Sequence, residues 1–185
     1  YKALGDPIQH GRFLRGLVDL QFYVNNLDLS LKHYLNSLSI FEKTAEKDGS
    51  PEAKINCGHL MATIGNVLRD SGDLEASLDY YNRCHSIYIL EGFTAGIPGV
   101  LYNTGNIFHS QGRFEEALNV YTQALKEAEE SGDHYLASMA LSSLGSVFMA
   151  MDDLDAAEDH FIRSMNIAEK QDRKRGILSS PLKIC

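Results

Sequence analysis

The chain has 185 residues, 44% of them hydrophobic and 23% charged, with a formal net charge of −8. That length supports one continuous core, and no apolar run approaches the roughly 20 residues of a membrane-spanning helix. The acidic balance argues against a general binder of nucleic-acid phosphates, which needs a basic face.

Taken in chain order, Lys2-Ala3-Leu4-Gly5-Asp6 resembles the close of a helical unit. Gly5 lies thirteen residues before Val18, just as Gly92 and Gly132 lie thirteen before Gly105 and Gly145. Residues 1–6 are therefore expected to be the tail of a preceding repeat, and the chain a fragment of a longer array. A first unit over 7–47 turns at Asn25. Leu27, Leu31, Tyr34, Leu38, Phe41 and Ala45 then keep one apolar stripe at helical spacing to about Lys47. Asp48-Gly49-Ser50-Pro51-Glu52 ends that helix and starts the next, with Ser50 as N-cap, Pro51 at the first position and Glu52 at the positive helix end. Asn25 precedes Gly72 by forty-seven residues, whereas Gly72, Gly112 and Asp152 are forty apart. The seven extra residues, about two helical turns, are expected in a lengthened second helix of the first unit.

Three further units, over 51–91, 94–131 and 134–172, are in register. Gly65, Gly105 and Gly145 share one position. Leu74, Phe114 and Leu154 share another, followed by the small residues Ser77, Ala117 and Ala157, then by Tyr81, Tyr121 and Phe161, then by Cys84, Ala124 and Ser164. A glycine inside a helix costs roughly 0.5–1 kcal/mol relative to alanine, so its recurrence at one phase implies close helix approach, with a neighbouring aromatic filling the gap. Gly72, Gly112 and Asp152 sit where one helix must end and another begin, and Gly and Asp tolerate the left-handed turn required there. The glycine-rich run from Gly92 to Gly99 is expected to be a long turn. It lacks the Lys-Ser/Thr ending and the preceding strand of a phosphate loop. Residues 173–185 are expected to be a tail or an incomplete capping helix, interrupted by Pro181. The cluster Arg173-Lys174-Arg175 reads as a solvated helix end.

Nothing points to catalysis, to a cofactor or to a bound metal. The seven histidines are scattered, without an i,i+4 pair. Acidic runs such as Glu127, Glu129 and Glu130 read as a solvated face rather than as acid–base machinery. Cys57, Cys84 and Cys185 are odd in number and without ligand spacing, which fits a reducing cytoplasm.

The stretch Leu101–Leu125, with Gly105, Phe108, Gly112, Phe114, Ala117, Tyr121 and Ala124, resembles the tetratricopeptide repeat signature. The usual unit has about 34 residues. The forty-residue period is similar to the longer-helix variant of the Leu-Gly-Asn (Pins) class of polarity adaptors, with kinesin light chains and bacterial Rap regulators more distant. Gly65-Asn66 and Gly105-Asn106 match the Gly-Asn step of that class, and Gly145-Ser146 departs from it. The opening aromatic is replaced by Met61, Leu101 and Leu141. The resemblance implies an all-α, right-handed α-solenoid of stacked antiparallel helix pairs, whose first helices line a concave groove.

In that groove the resemblance assigns Asn66 and Asn106 to an extended peptide, since a carboxamide both donates to and accepts from a peptide backbone. Asn103 lies one turn earlier; Arg69, Asp70, Tyr102 and His109 flank the asparagines, while Arg12, Arg15 and Asp19 form the upstream end. Met139, Ser142, Ser146 and Met149 offer an uncharged surface in the last unit. Alternatively, Asn66 and Asn106 hold the stacking of the repeats. A clamp for a terminal carboxylate matches poorly, because Ala62 and Tyr102 occupy its basic sites. The expected function is a non-catalytic protein–protein interaction module that binds a linear segment of a partner. Two alternatives are a rod that contacts large partners or its own copies through convex and end surfaces, and a regulatory domain of a larger enzyme.

Overall fold

The computed structural model describes residues 27–174, all of whose long elements are helices. They are α1 (Leu27–Asp48), α2 (Pro51–Ser71), α3 (Leu74–Leu90), α4 (Ile97–Ser110), α5 (Phe114–Ser131), α6 (His134–Ala150) and α7 (Leu154–Lys174). The expectations for residues 1–6, for the Asn25 turn, for Arg12, Arg15 and Asp19 and for the tail beyond Lys174 lie outside the described residues, as do the side chains of Arg173 and Lys174.

Local chemistry sets each boundary. The Ser50 hydroxyl accepts from the Ala53 amide at 3.4 Å, and Pro51 occupies the first turn of α2, where no amide hydrogen is needed. Gly72, Gly112 and Gly132 take φ of 90°, 70° and 73°, and Asp152 takes 64° without being glycine. Each of these turns closes alike. The amides of Asp73, Arg113, Asp133 and Asp153 donate back to the carbonyls of Leu68, Phe108, Ala128 and Phe148 over 2.8–3.0 Å, satisfying helix-end carbonyls. Asp73, Asp133 and Asp153 then cap the following helix through their carboxylates. Arg113 does not; its guanidinium pairs with Glu116 and lies 4.3 Å from the Phe108 ring centre.

One expectation needs correction. Gly92–Gly99 is not a long turn: Thr94–Gly96 forms a single 3-10 turn, and Ile97-Pro98-Gly99 already belong to α4. Proline in a first helical turn forfeits no backbone bond, so this segment can be helical despite its composition.

The chain divides into two compact units, Tyr1–Val100 and Leu101–Cys185. In the first, α1, α2 and α3 pack around Tyr34, Leu38, Phe41, Leu60, Ile64 and Tyr81. The α2–α3 pair is antiparallel: Gly65 faces Tyr81, and Gly58, seven residues earlier, faces Tyr88, seven later. In the second unit, α5, α6 and α7 bury Tyr121, Ala124, Ala137, Leu141, Leu144 and Ala157. The second helix of the first unit is α1, whose 22 residues end at Asp48, against 17 in α3 and 21 in α7.

Candidate functional site

The repeat glycines decide where the site residues sit. A Cβ on Gly65 would lie 2.6 Å from the Tyr81 ring, and one on Gly105 would lie 2.6 Å from the Tyr121 ring. Removing the side chain therefore lets each aromatic of the second helix approach the backbone of the first closely. The following residue on the first helix is asparagine in both repeats. The Tyr81 hydroxyl donates to Asn66 Oδ1 at 2.6 Å, and the Tyr121 hydroxyl to Asn106 Oδ1 at 2.7 Å.

Each tyrosine thus does two jobs: its ring fills the space over the glycine, and its hydroxyl holds a half-buried carboxamide oxygen. Burial raises both phenols, Tyr121 to about 12 with Tyr102 adding to the effect, so both remain hydrogen-bond donors at neutral pH. Each hydrogen bond favours the carboxamide orientation that turns Oδ1 toward the tyrosine.

The last repeat tests the rule. Phe161 takes the tyrosine position over Gly145, at 2.9 Å from a Cβ built there, and Ser146 takes the asparagine position. Ser146 turns to its own helix, donating to the Ser142 carbonyl at 3.0 Å. Hydroxyl and carboxamide disappear together. The pairing also recurs two turns back along α2, where Gly58 is covered by Tyr88 and His59 stands where asparagine would; Tyr88 Oη and His59 Nδ1 are 2.7 Å apart. Phe93 closes this cluster, with ring centres 5.2 Å from His59 and 5.0 Å from Tyr88.

On α2, Arg69 lies one turn beyond Asn66 and ion-pairs with Asp70 at 2.9 Å. On α4, Tyr102, Asn106 and His109 share one face at helical spacing, with Asn103 half-buried beside them. The Tyr102 ring leans on Tyr121 at 5.7 Å, and the His109 ring lies tilted beside Phe114, 6.0 Å between centres. On α6, Met149 is 55% exposed and Ser142 is exposed, while Met139 and Ser146 are half-buried. Tyr81 and Tyr121 are the residues that sequence reasoning missed as parts of this site. Their signal was present: tyrosine stands fifteen residues after each asparagine, and phenylalanine fifteen after Ser146.

The sequence pattern described as Tetratricopeptide repeat matches residues 56–130 and 96–170, which together cover more than half of the chain. The chain belongs to the tetratricopeptide repeat (TPR) family. Among curated proteins, this chain is 31% identical over 71 residues to Protein O-mannosyl-transferase TMTC2 of Mus musculus, a match covering 38% of this chain and 8% of that protein. Among solved structures, aspartyl phosphate phosphatase F from Bacillus subtilis aligns with 90% of the chain and 42% of its own, at a TM-score of 0.81 and 17% identity. The Rap conjugation gene regulator of the plasmid pLS20, solved in complex with a Phr peptide, aligns with 93% of the chain and 45% of its own, at a TM-score of 0.71 and 16% identity. At such identities the likeness shows the fold, stacked helix pairs of the TPR type.

Proposed function

We propose that this chain is a protein-interaction module that holds an extended segment of a partner against the first helices of its repeats, with Asn66 and Asn106 as backbone-binding groups. The observation that carries this reading is the pair of tyrosine-held carboxamides. Groups ordered before binding lose less freedom when they bind, which saves on the order of 0.5–1.5 kcal/mol for each side chain that would otherwise be immobilised. Arg69 beside Asn66, and Tyr102, Asn103 and His109 beside Asn106, are the neighbours placed to select partner side chains; Arg15 would extend the set upstream. The likeness to a Rap regulator solved with a peptide supports this reading.

The same bonds also tie the two helices of a repeat together, so a purely structural role for the asparagines is the competing reading. Replacing both Asn66 and Asn106 by Ser separates the two. Loss of partner recovery from lysate with the melting temperature kept within a few degrees supports the binding role. Unchanged recovery overturns it. A further reading, that the repeats are an accessory part of a larger enzyme, is supported by the 71-residue match to a protein named as a mannosyl-transferase.

A further inference from the structure

The first unit carries a second surface that the asparagine site does not use. Where the last turns of α1 meet the start of α2 and the end of α3 there is an open cavity of about 360 Å3, within the range of roughly 300–1,000 Å3 of small-ligand pockets. Cys57 and Met61 form its floor, and Ala45, Ile87 and Leu90 its walls. Leu90, at the edge of the cavity, is 80% exposed and so presents aliphatic surface to solvent. The α1 side of this wall exists because the helix runs on to Asp48.

The rim is acidic. Glu42, Glu46 and Glu91 line it against one cation, Lys54. The Lys54 ammonium is committed to Glu91 at 2.8 Å. Glu42 is 3.5 Å from Arg83, a side chain shared with Asp79 at 3.8 Å. Glu46 is exposed and makes no ion pair among the described residues. The negative field reaches the floor: burial first, and the Glu42 carboxylate second, push the Cys57 thiol up to about 11.

We infer that this groove docks a partner segment presenting an aliphatic or aromatic side chain flanked by lysine or arginine. The apolar side chain enters between Met61, Ile87 and Leu90, and the flanking cations meet Glu42 and Glu46. The site is separate from the asparagine face. Asn66 follows Cys57 by nine residues, which places it about half a turn round α2 and about 13 Å along it.

The test is selection of a phage-displayed random dodecapeptide library on the full chain, with each clone re-measured on Leu90→Glu, Glu46→Lys and the Asn66→Ser/Asn106→Ser double variant. Leu90 and Glu46 are exposed, so these changes leave the core untouched. Clones are expected in which an aliphatic or aromatic residue adjoins lysine or arginine. They should weaken about tenfold or more on Leu90→Glu and about two- to fivefold on Glu46→Lys. Their binding should be unchanged in the asparagine variant. Absence of any Leu90-dependent clone overturns the inference, and so does Leu90-dependent enrichment of acidic or uncharged sequences. Concentration-dependent dimerisation that Leu90→Glu abolishes would make a second copy of the chain the occupant, and likewise overturns it. Failure of the asparagine site leaves these readouts unaffected.

Discussion

The α4–α5 and α6–α7 pairs follow one plan with different chemistry at its centre. In α4–α5 the aromatic is Tyr121, fully buried, pressed on Gly105 and bonded to Asn106. In α6–α7 it is Phe161, half-buried, less tightly seated on Gly145 and without a polar partner in Ser146. The α2–α3 pair follows the first pattern through Gly65, Asn66 and Tyr81. Packing a ring on a helix needs only the glycine. Fixing the ring, and with it a carboxamide on the helix face, needs the hydroxyl and the asparagine together.

The comparison breaks most visibly at the glycines. Alanine at position 105 would bring its Cβ to 2.6 Å from a ring that is buried and tethered at its hydroxyl. Overpacking of this kind costs about 1–3 kcal/mol, against roughly 0.8–1.0 kcal/mol gained in helix propensity. Gly105→Ala and Gly65→Ala should therefore lose up to about 2 kcal/mol net. Gly145→Ala meets Phe161 at 2.9–3.0 Å, and that half-buried ring can shift. It should be neutral or slightly stabilising. Urea melts followed by circular dichroism give the order, and equal losses at positions 105 and 145 would remove the distinction between the pairs.

The tether itself is worth less. Tyr121→Phe removes the hydroxyl that donates to Asn106 and should cost about 0.5–1.5 kcal/mol. In a double-mutant cycle with Asn106→Ala, a coupling of about 0.5 kcal/mol or more is expected, because the two groups contact each other directly. Additive losses would show that the 2.7 Å bond contributes nothing beyond ring burial.

Much of this fold is legible residue by residue because single positions carry the constraint. A left-handed turn selects Gly72, Gly112 and Asp152, and Ser50-Pro51 announces a helix start by capping chemistry. The glycine-rich segment before α4 misleads because composition does not say that Pro98 lies in a first turn, where it costs no bond. Asn66 and Asn106 are legible as a recurring pair, but their bonds to Tyr81 and Tyr121 depend on how two helices approach. The groove beside Leu90 is harder still. Its walls come from α1, α2 and α3, and no spacing within one helix reports a hollow between three.

The smallest and most discriminating change builds the missing tether into the last repeat. Phe161→Tyr alone adds a hydroxyl beside Ser146, whose own hydroxyl is turned to the Ser142 carbonyl. Because Phe161 is only half-buried, the new group can meet water, and the change should lie within about 0.5 kcal/mol of neutral. Adding Ser146→Asn supplies the acceptor fifteen residues before the tyrosine, the spacing of the two natural pairs. The double variant should exceed the sum of the single changes by about 0.5–1 kcal/mol, read as slower hydrogen exchange in α6 and α7. If the asparagine and tyrosine gain nothing from each other there, seating depth rather than the hydrogen bond separates the pairs, because the transplanted groups would share the natural spacing but not the burial of Tyr121.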